Sequence, residues 1–131
     1  MTPATLEGTA VVEDMLTLAR ALVREGWCQG ATARDVCDRP VAPESAFACR
    51  WSAAGALERV WARHEDRFGL GLAAFQRANL AVVSVVGDAP QTWNDAEGRT
   101  VTEVLDALTE ALRVVADAPP DPPRELEALP V

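Results

Sequence analysis

Whether the chain is all-helical turns on Leu70-Gly-Leu-Ala-Ala-Phe-Gln-Arg-Ala-Asn-Leu-Ala-Val-Val-Ser-Val-Val86. Its end, Val82-Val83-Ser84-Val85-Val86, is β-branched enough to read as a short strand. A strand needs a partner, and no second strand pattern is evident in the chain. A helix from about Leu70 to Val86 is therefore predicted. Arg77 is its only charge, and Gln76, Asn79 and Ser84 are its other polar side chains. A helix apolar nearly all round is buried on most sides. It should be central in the domain, or bury its surplus of Leu70, Leu72, Phe75, Leu80, Val82, Val83 and Val85 against a second copy.

Three more helices flank it. The first is predicted from Thr9, as N-cap, to Glu25, with Val12, Leu16, Ala19 and Val23 on one face and Gly26 as a left-handed stop. The second is predicted from Pro43-Glu44-Ser45 to about His64, with Phe47, Trp51, Ala54, Leu57 and Trp61 as its stripe. Gly55 in mid-helix costs about 1 kcal/mol relative to Ala, so a close approach by a helix or a ligand is expected there. The fourth begins at the capping box Thr100-Val101-Thr102-Glu103 and buries Val101, Val104, Leu105, Leu108, Leu112 and Val115. Its narrow apolar face suits an edge position. The fold class predicted is all-α, an antiparallel four-helix bundle with two Trp-containing loops. Residues 1–117 form the bundle domain, and 118–131 a Pro-rich polyproline-II tail.

Composition bounds the function. The chain has 131 residues, 49% hydrophobic and 24% charged, and suits one soluble globular domain. No apolar run approaches the roughly 20 residues of a membrane span, and no secretory signal is visible, so cytoplasm is expected. Cys28, Cys37 and Cys49 are odd in number and irregular in spacing, which argues for free thiols. The net charge is −8, concentrated in the last third of the chain. That opposes binding to nucleic acid or an anionic membrane, because phosphate affinity needs clustered positive charge.

Two polar inserts interrupt the helical pattern. Gly26-Trp27-Cys28-Gln29-Gly30-Ala31-Thr32-Ala33-Arg34-Asp35 is the first; Thr32 and Asp35 stand at capping-box spacing, so Thr32–Cys37 is expected to form one helical turn. Trp93-Asn94-Asp95 through Arg99-Thr100 is the second, within a loop expected from Gly87 to Arg99. Together with Gly-Ala-Leu at 55–57, these segments resemble a family of small, mostly actinobacterial proteins of unknown function, over about residues 10–116. Its motifs are Gly-Trp-Cys-x-Gly-Ala and Trp-Asn-Asp-x-x-Gly-Arg-Thr. The resemblance implies one short domain and no particular activity. Members often carry Cys three residues before Gly-Ala-Leu, where this chain has Ser52.

Up-down-up-down topology brings the end of the first helix and the start of the fourth to one end of the bundle, so the two inserts should meet. The leading expectation is one pocket rimmed by Trp27 and Trp93, for a small anionic or carbonyl-bearing ligand or a short peptide. Gln29, Arg34, Asn94 and Arg99 would orient it, and the free N–H groups of the fourth helix would face it. The rival is a small enzyme. Cys28, activated by Arg34, would be its nucleophile, with Asp35, Asp95 or His64, the sole histidine, as acid or base. The bland alternative ties Arg34 to Asp35 and Asp95 to Arg99 as purely structural pairs. The third reading is a homodimer with no ligand. No cofactor or metal is expected, since Cys28, Cys37, Cys49 and His64 lack the spacing of a zinc knuckle.

Overall fold

The structure is a computed structural model that describes residues 3–118, with side chains from Gly8 onward. The predicted Pro-rich tail lies outside the described residues beyond Ala118. Among the described residues the protein is mostly helical. The elements are α1 (Pro3–Glu25), β1 (Ala33–Arg34), β2 (Arg50–Trp51), α2 (Ala53–Ala62), α3 (Leu70–Val86), α4 (Pro90–Asn94) and α5 (Val101–Asp117). None of these helices is long and apolar enough to cross a membrane.

α3 is helical to its β-branched end, with Gly87 as a left-handed C-cap at φ 76°. The central element, however, is α1, which packs against α2, α3 and α5. Its seam of Val12, Met15, Leu16, Ala19 and Val23 is buried at 3.6-residue spacing. α3 meets the core through small residues, Ala74, Ala78 and Ala81, with Val82. Much of its surplus apolar surface is absorbed at half-burial, and Leu80 remains 65% exposed. α5 packs on α1 and α3 through Val104, Leu108, Ala111 and Val115. Its capping box is present in both directions, Thr100 Oγ1 accepting from Glu103 N and Thr100 N donating to the Glu103 carboxylate.

Several assignments differ from expectation. α1 starts at Pro3, so Thr9 lies inside the helix; its hydroxyl accepts from Arg77 of α3 at 3.4 Å. Gly26 continues the helical hydrogen bonding to Leu22 O and has no left-handed φ. It is needed for space instead, because a Cβ there would stand 2.4 Å from Cys49 O. The segment 32–37 forms no helical turn. Ala33 and Arg34 pair antiparallel with Trp51 and Arg50 in a two-stranded sheet.

α2 begins at Ala53 rather than near Pro43, with Ser52 as N-cap. The backbone of residues 43–51 is claimed elsewhere. Cys49 N donates to Arg34 O, Trp51 N to Gly26 O, and the Trp51 indole N–H to Pro43 O at 3.1 Å. Phe47, expected on the buried stripe, is 77% exposed. The segment Pro90–Asn94, read as loop, is a short helix with Pro at its first position.

Candidate binding site

The two polar inserts meet, and the buried carboxamide of Asn94 joins them. Its Oδ1 accepts from the Trp27 indole N–H at 2.8 Å and from Ala53 N at 3.0 Å. Its Nδ2 donates to Cys28 O and Asp95 Oδ1, both at 3.0 Å. Four bonds saturate an amide side chain. Gln29 reaches the other way, its Nε2 donating to Asn94 O and Ala96 O at 3.0 Å. Asp95 accepts from Gly30 N at 2.9 Å and from Gln91 at 3.0 Å. Gln91 in turn receives the Ser52 hydroxyl, itself the cap of α2. One network therefore fixes the entry to α2, the end of α4 and the loop after α1.

A cavity of about 290 Å³ opens beside this junction, lined by Trp27, Cys28, Gln29, Arg34, Asp38 and Arg50. The sheet register explains the two arginines. Arg34 and Arg50 are direct cross-strand partners, and opposed residues of an antiparallel pair project to one face. Arg34 is held rigidly, its Nε and NH2 donating to Gln29 O and its NH1 to Asp38 O at 2.8 Å. Arg50 donates through NH2 to Asp38 Oδ1. That hydrogen bond and charge keep the Arg50 pKa above its ordinary value, against the effect of desolvation.

The other expected site residues lie apart from this cavity. Trp93 is not among its walls; its ring carries the Arg99 guanidinium 4.0 Å from the centroid. Arg99 also donates to Trp93 O and pairs with Glu103, so the anticipated Asp95–Arg99 pair is absent. Asp35 pairs with Arg39 at 3.0 Å instead of Arg34, because its Oδ1 closes a tight turn by accepting from Cys37 N and Arg39 N. The start of α5 is satisfied by Thr100 and Glu103, so its dipole meets a carboxylate of its own chain before any ligand. His64 lies at the far end of α2. Its Nδ1 accepts from Asp66 N, and it edges a separate groove of about 660 Å³ beside Met15, Leu18, Leu22 and Val60.

The electrostatics leave no poised nucleophile among the candidates. Burial pushes the Cys28 thiol up and outweighs the opposing charges of Arg34 and Arg50. Its Sγ donates to Ala31 O at 3.6 Å. Backbone donation from Arg39 lowers the Asp35 carboxyl pKa against its desolvation. Partial burial raises the Asp95 carboxyl, and hydrogen bonds from Gln91, Gly30 and Asn94 outweigh it, so the net shift is downward. Both carboxylates are stabilised as acceptors rather than held near neutrality for proton transfer.

Two solution results are expected. With a thiol reagent at pH 8, exposed Cys37 should react first and buried Cys28 last. Cys28 reacting as fast as Cys37 would contradict its burial. Stability should also fall at both pH extremes. Asp35, Asp95 and Glu103 have lowered folded pKa values, so their contribution is present above the ordinary carboxylate range, about pH 4. It is lost as pH drops through the folded values. Cys28 is raised, so the unfolded chain loses that proton first and stability declines above about pH 8.5–9. Urea midpoints between pH 2 and 10 read both limbs.

Sequence reasoning missed Asp38, Arg50, Ser52 and Gln91. Arg50 lies in a two-residue strand too short to show a pattern, inside a segment whose apolar spacing reads as helical. Fold and junction together define a small, mostly helical protein with a polar, arginine-lined cavity beside the junction of its inserts. The chain belongs to the family of unknown function DUF6197, whose model matches residues 8–114. No curated protein and no solved structure matches it.

Proposed function

We propose that the protein is a small accessory binding protein, holding a small anionic or carbonyl-bearing ligand, or the carboxylate end of a short peptide, in the cavity that the first insert and Arg50 line beside the junction. One observation carries this reading. Two guanidinium groups, Arg34 and Arg50, edge a single cavity of about 290 Å³ together with Trp27 and Gln29. Guanidinium groups are suited to carboxylates and other oxyanions through their planar fork. Gln29, expected as a ligand contact, lines the cavity, whereas Asn94 and Asp95 hold the junction beside it. The enzyme alternative has less support, because burial holds the Cys28 thiol protonated and the lowered pKa values of Asp35 and Asp95 make them weaker bases and poor proton donors.

The long helices fit an antiparallel four-helix arrangement around this site. Trp51 N bonding Gly26 O sets the start of α2 beside the end of α1, and the Trp27–Asn94 bond does the same for the approach to α5. Arg20 of α1 donating to Thr109 of α5 agrees with that direction. Three free cysteines suit a reducing compartment such as the cytoplasm. Self-association through the outer side of α3 is a second proposal, supported by Leu80 at 65% exposure. A 14 kDa species alone in sedimentation at micromolar concentration would remove it.

Titration calorimetry with acetate, succinate, citrate and phosphate tests the binding reading. At least one should bind one-to-one with a dissociation constant below about 1 mM, equivalent to about 4 kcal/mol. Arg50→Ala should weaken it at least tenfold. Failure of every probe, with no small molecule retained in native mass spectrometry, would remove the reading.

A further inference from the structure

We propose that the Asp38 carboxylate is a built-in stand-in for the ligand, and that the ligand is a carboxylate which takes its place at Arg50 beside Arg34. This rests on the binding reading above and names its ligand class. Arg34 and Arg50 stand directly opposite across the β1–β2 pair, an arrangement of like charges that is unfavourable unless an anion lies between them. Asp38 supplies that anion. Its Oδ1 receives Arg50 NH2 and lies 3.8 Å from Arg34 Nε.

The backbone that presents Asp38 is fixed while its side chain is not. Asp38 has a left-handed φ of 66°, the one positive φ of a non-glycine among the described residues. Such a conformation persists only where neighbouring bonds enforce it. Here Asp38 N donates to Asp35 O at 3.0 Å and Asp38 O accepts from Arg34 NH1. Asp35 locks the same turn through Cys37 N and Arg39 N. The Asp38 side chain is 66% exposed, so rotation about its own bonds swings the carboxylate into solvent without moving the turn. Arg50 is then uncovered.

The two arginines differ in what they can offer. All three Arg34 nitrogens are engaged by backbone oxygens, so Arg34 is a fixed charge. Arg50 donates through NH2 to the Asp38 carboxylate, and among the described residues no backbone oxygen engages its guanidinium. A guanidinium presents a fork that a carboxylate meets with two parallel bonds, and Asp38 engages one nitrogen of it. An external carboxylate can take both. With Asp38 swung aside, its charge and that of Asp95 still partly offset the two guanidinium charges, so the site suits one carboxylate group, with the second carboxylate of succinate left in solvent, better than a phosphate whose two charges share one centre.

Calorimetry with succinate and with phosphate, on the full chain and its variants, tests this. Asp38→Asn should bind succinate at least tenfold tighter than the unmodified protein, and phosphate should gain less. The succinate ratio should persist from 0.1 to 0.5 M NaCl, where the screening length falls to about 4 Å and a through-space charge effect fades. Asp38→Gly, which suits the positive φ, should repeat the gain should Asp38→Asn fold poorly. Arg50→Ala should abolish binding in both backgrounds. Equal succinate affinity with and without Asp38 overturns the stand-in and leaves the binding reading intact. A larger gain for phosphate overturns the ligand class. A ratio that collapses at high salt reduces Asp38 to a distant charge and also overturns the stand-in. No binding of succinate to any of these proteins overturns the stand-in, and the binding reading falls with it when acetate, citrate and phosphate are silent and native mass spectrometry retains no small molecule.

Discussion

Gly55→Ala should destabilise the protein by about 3 kcal/mol or more, although the same change in an ordinary exposed helix stabilises by about 1 kcal/mol. The sign is set by what faces the added methyl. A Cβ at Gly55 would stand 1.8 Å from Thr32 O and 2.6 Å from Thr32 C. These are backbone atoms, so no rotamer change can clear them. Thr32 O also accepts from Ser52 N at 3.1 Å, and Ser52 Oγ caps α2 by accepting from Gly55 N at 2.9 Å. Making room must pull Thr32 off Ser52. That strains the cap, itself worth about 1 kcal/mol, and the strand pair that sets Arg34 opposite Arg50. Urea unfolding reads the loss, and succinate calorimetry on the folded fraction reads the damage to the cavity. Stabilisation instead would mean that the loop does not sit against α2.

The same contact shows what the sequence encoded and what it hid. Gly55, read from sequence as mid-helix and found in the first turn of α2, did announce a close approach, but the neighbour is a loop backbone rather than another helix or a ligand. Helices with a local signal were legible: the α1 seam by period, α5 by its capping box, α3 by length and apolarity. The segment from Pro43 to Ser52 was not. Phe47, Trp51, Ala54 and Leu57 satisfy a helical period, yet the backbone of Cys49 and Trp51 bonds to Arg34 and Gly26. Partners that distant leave no mark in local periodicity.

The site was half legible for a related reason. An up-down-up-down order of the helices is the ground for expecting the two inserts to meet, and the Trp27–Asn94 bond joins them. Polar side chains within them then had two possible employers, a ligand or the opposite insert. Gln29, Asn94 and Asp95 have the same composition signal in either role. Arg34 was identified, but its cross-strand partner Arg50 depends on a two-residue sheet too short to show a pattern. Asp38 gave no signal at all, since its importance lies in a turn closed by Asp35.

Asn94→Ala should cost about 3–5 kcal/mol, a large part of the roughly 5–15 kcal/mol that typically holds a domain of this size. The side chain is fully buried and makes four hydrogen bonds. Truncation strands the Trp27 indole N–H, the first N–H of α2 at Ala53, and Cys28 O. Each buried group left unpaired costs about 1–3 kcal/mol. Asn94→Asp separates this network from simple loss of volume. The introduced carboxyl keeps the acceptor for Trp27 and Ala53 but turns a donor into an anion facing Cys28 O and Asp95. Burial and the Asp95 charge must raise its pKa above that of an unfolded carboxyl. Its destabilisation should therefore be greatest at neutral pH and ease as pH falls toward about 5, where protonation restores a donor. Asn94→Ala has no such group and should keep its full deficit over that interval. Urea midpoints at pH 5 and 7, followed by Trp fluorescence, distinguish the two. A deficit under about 1 kcal/mol in Asn94→Ala would mean that water replaces the amide. The inserts would then be held by Gln29 and Asp95 alone.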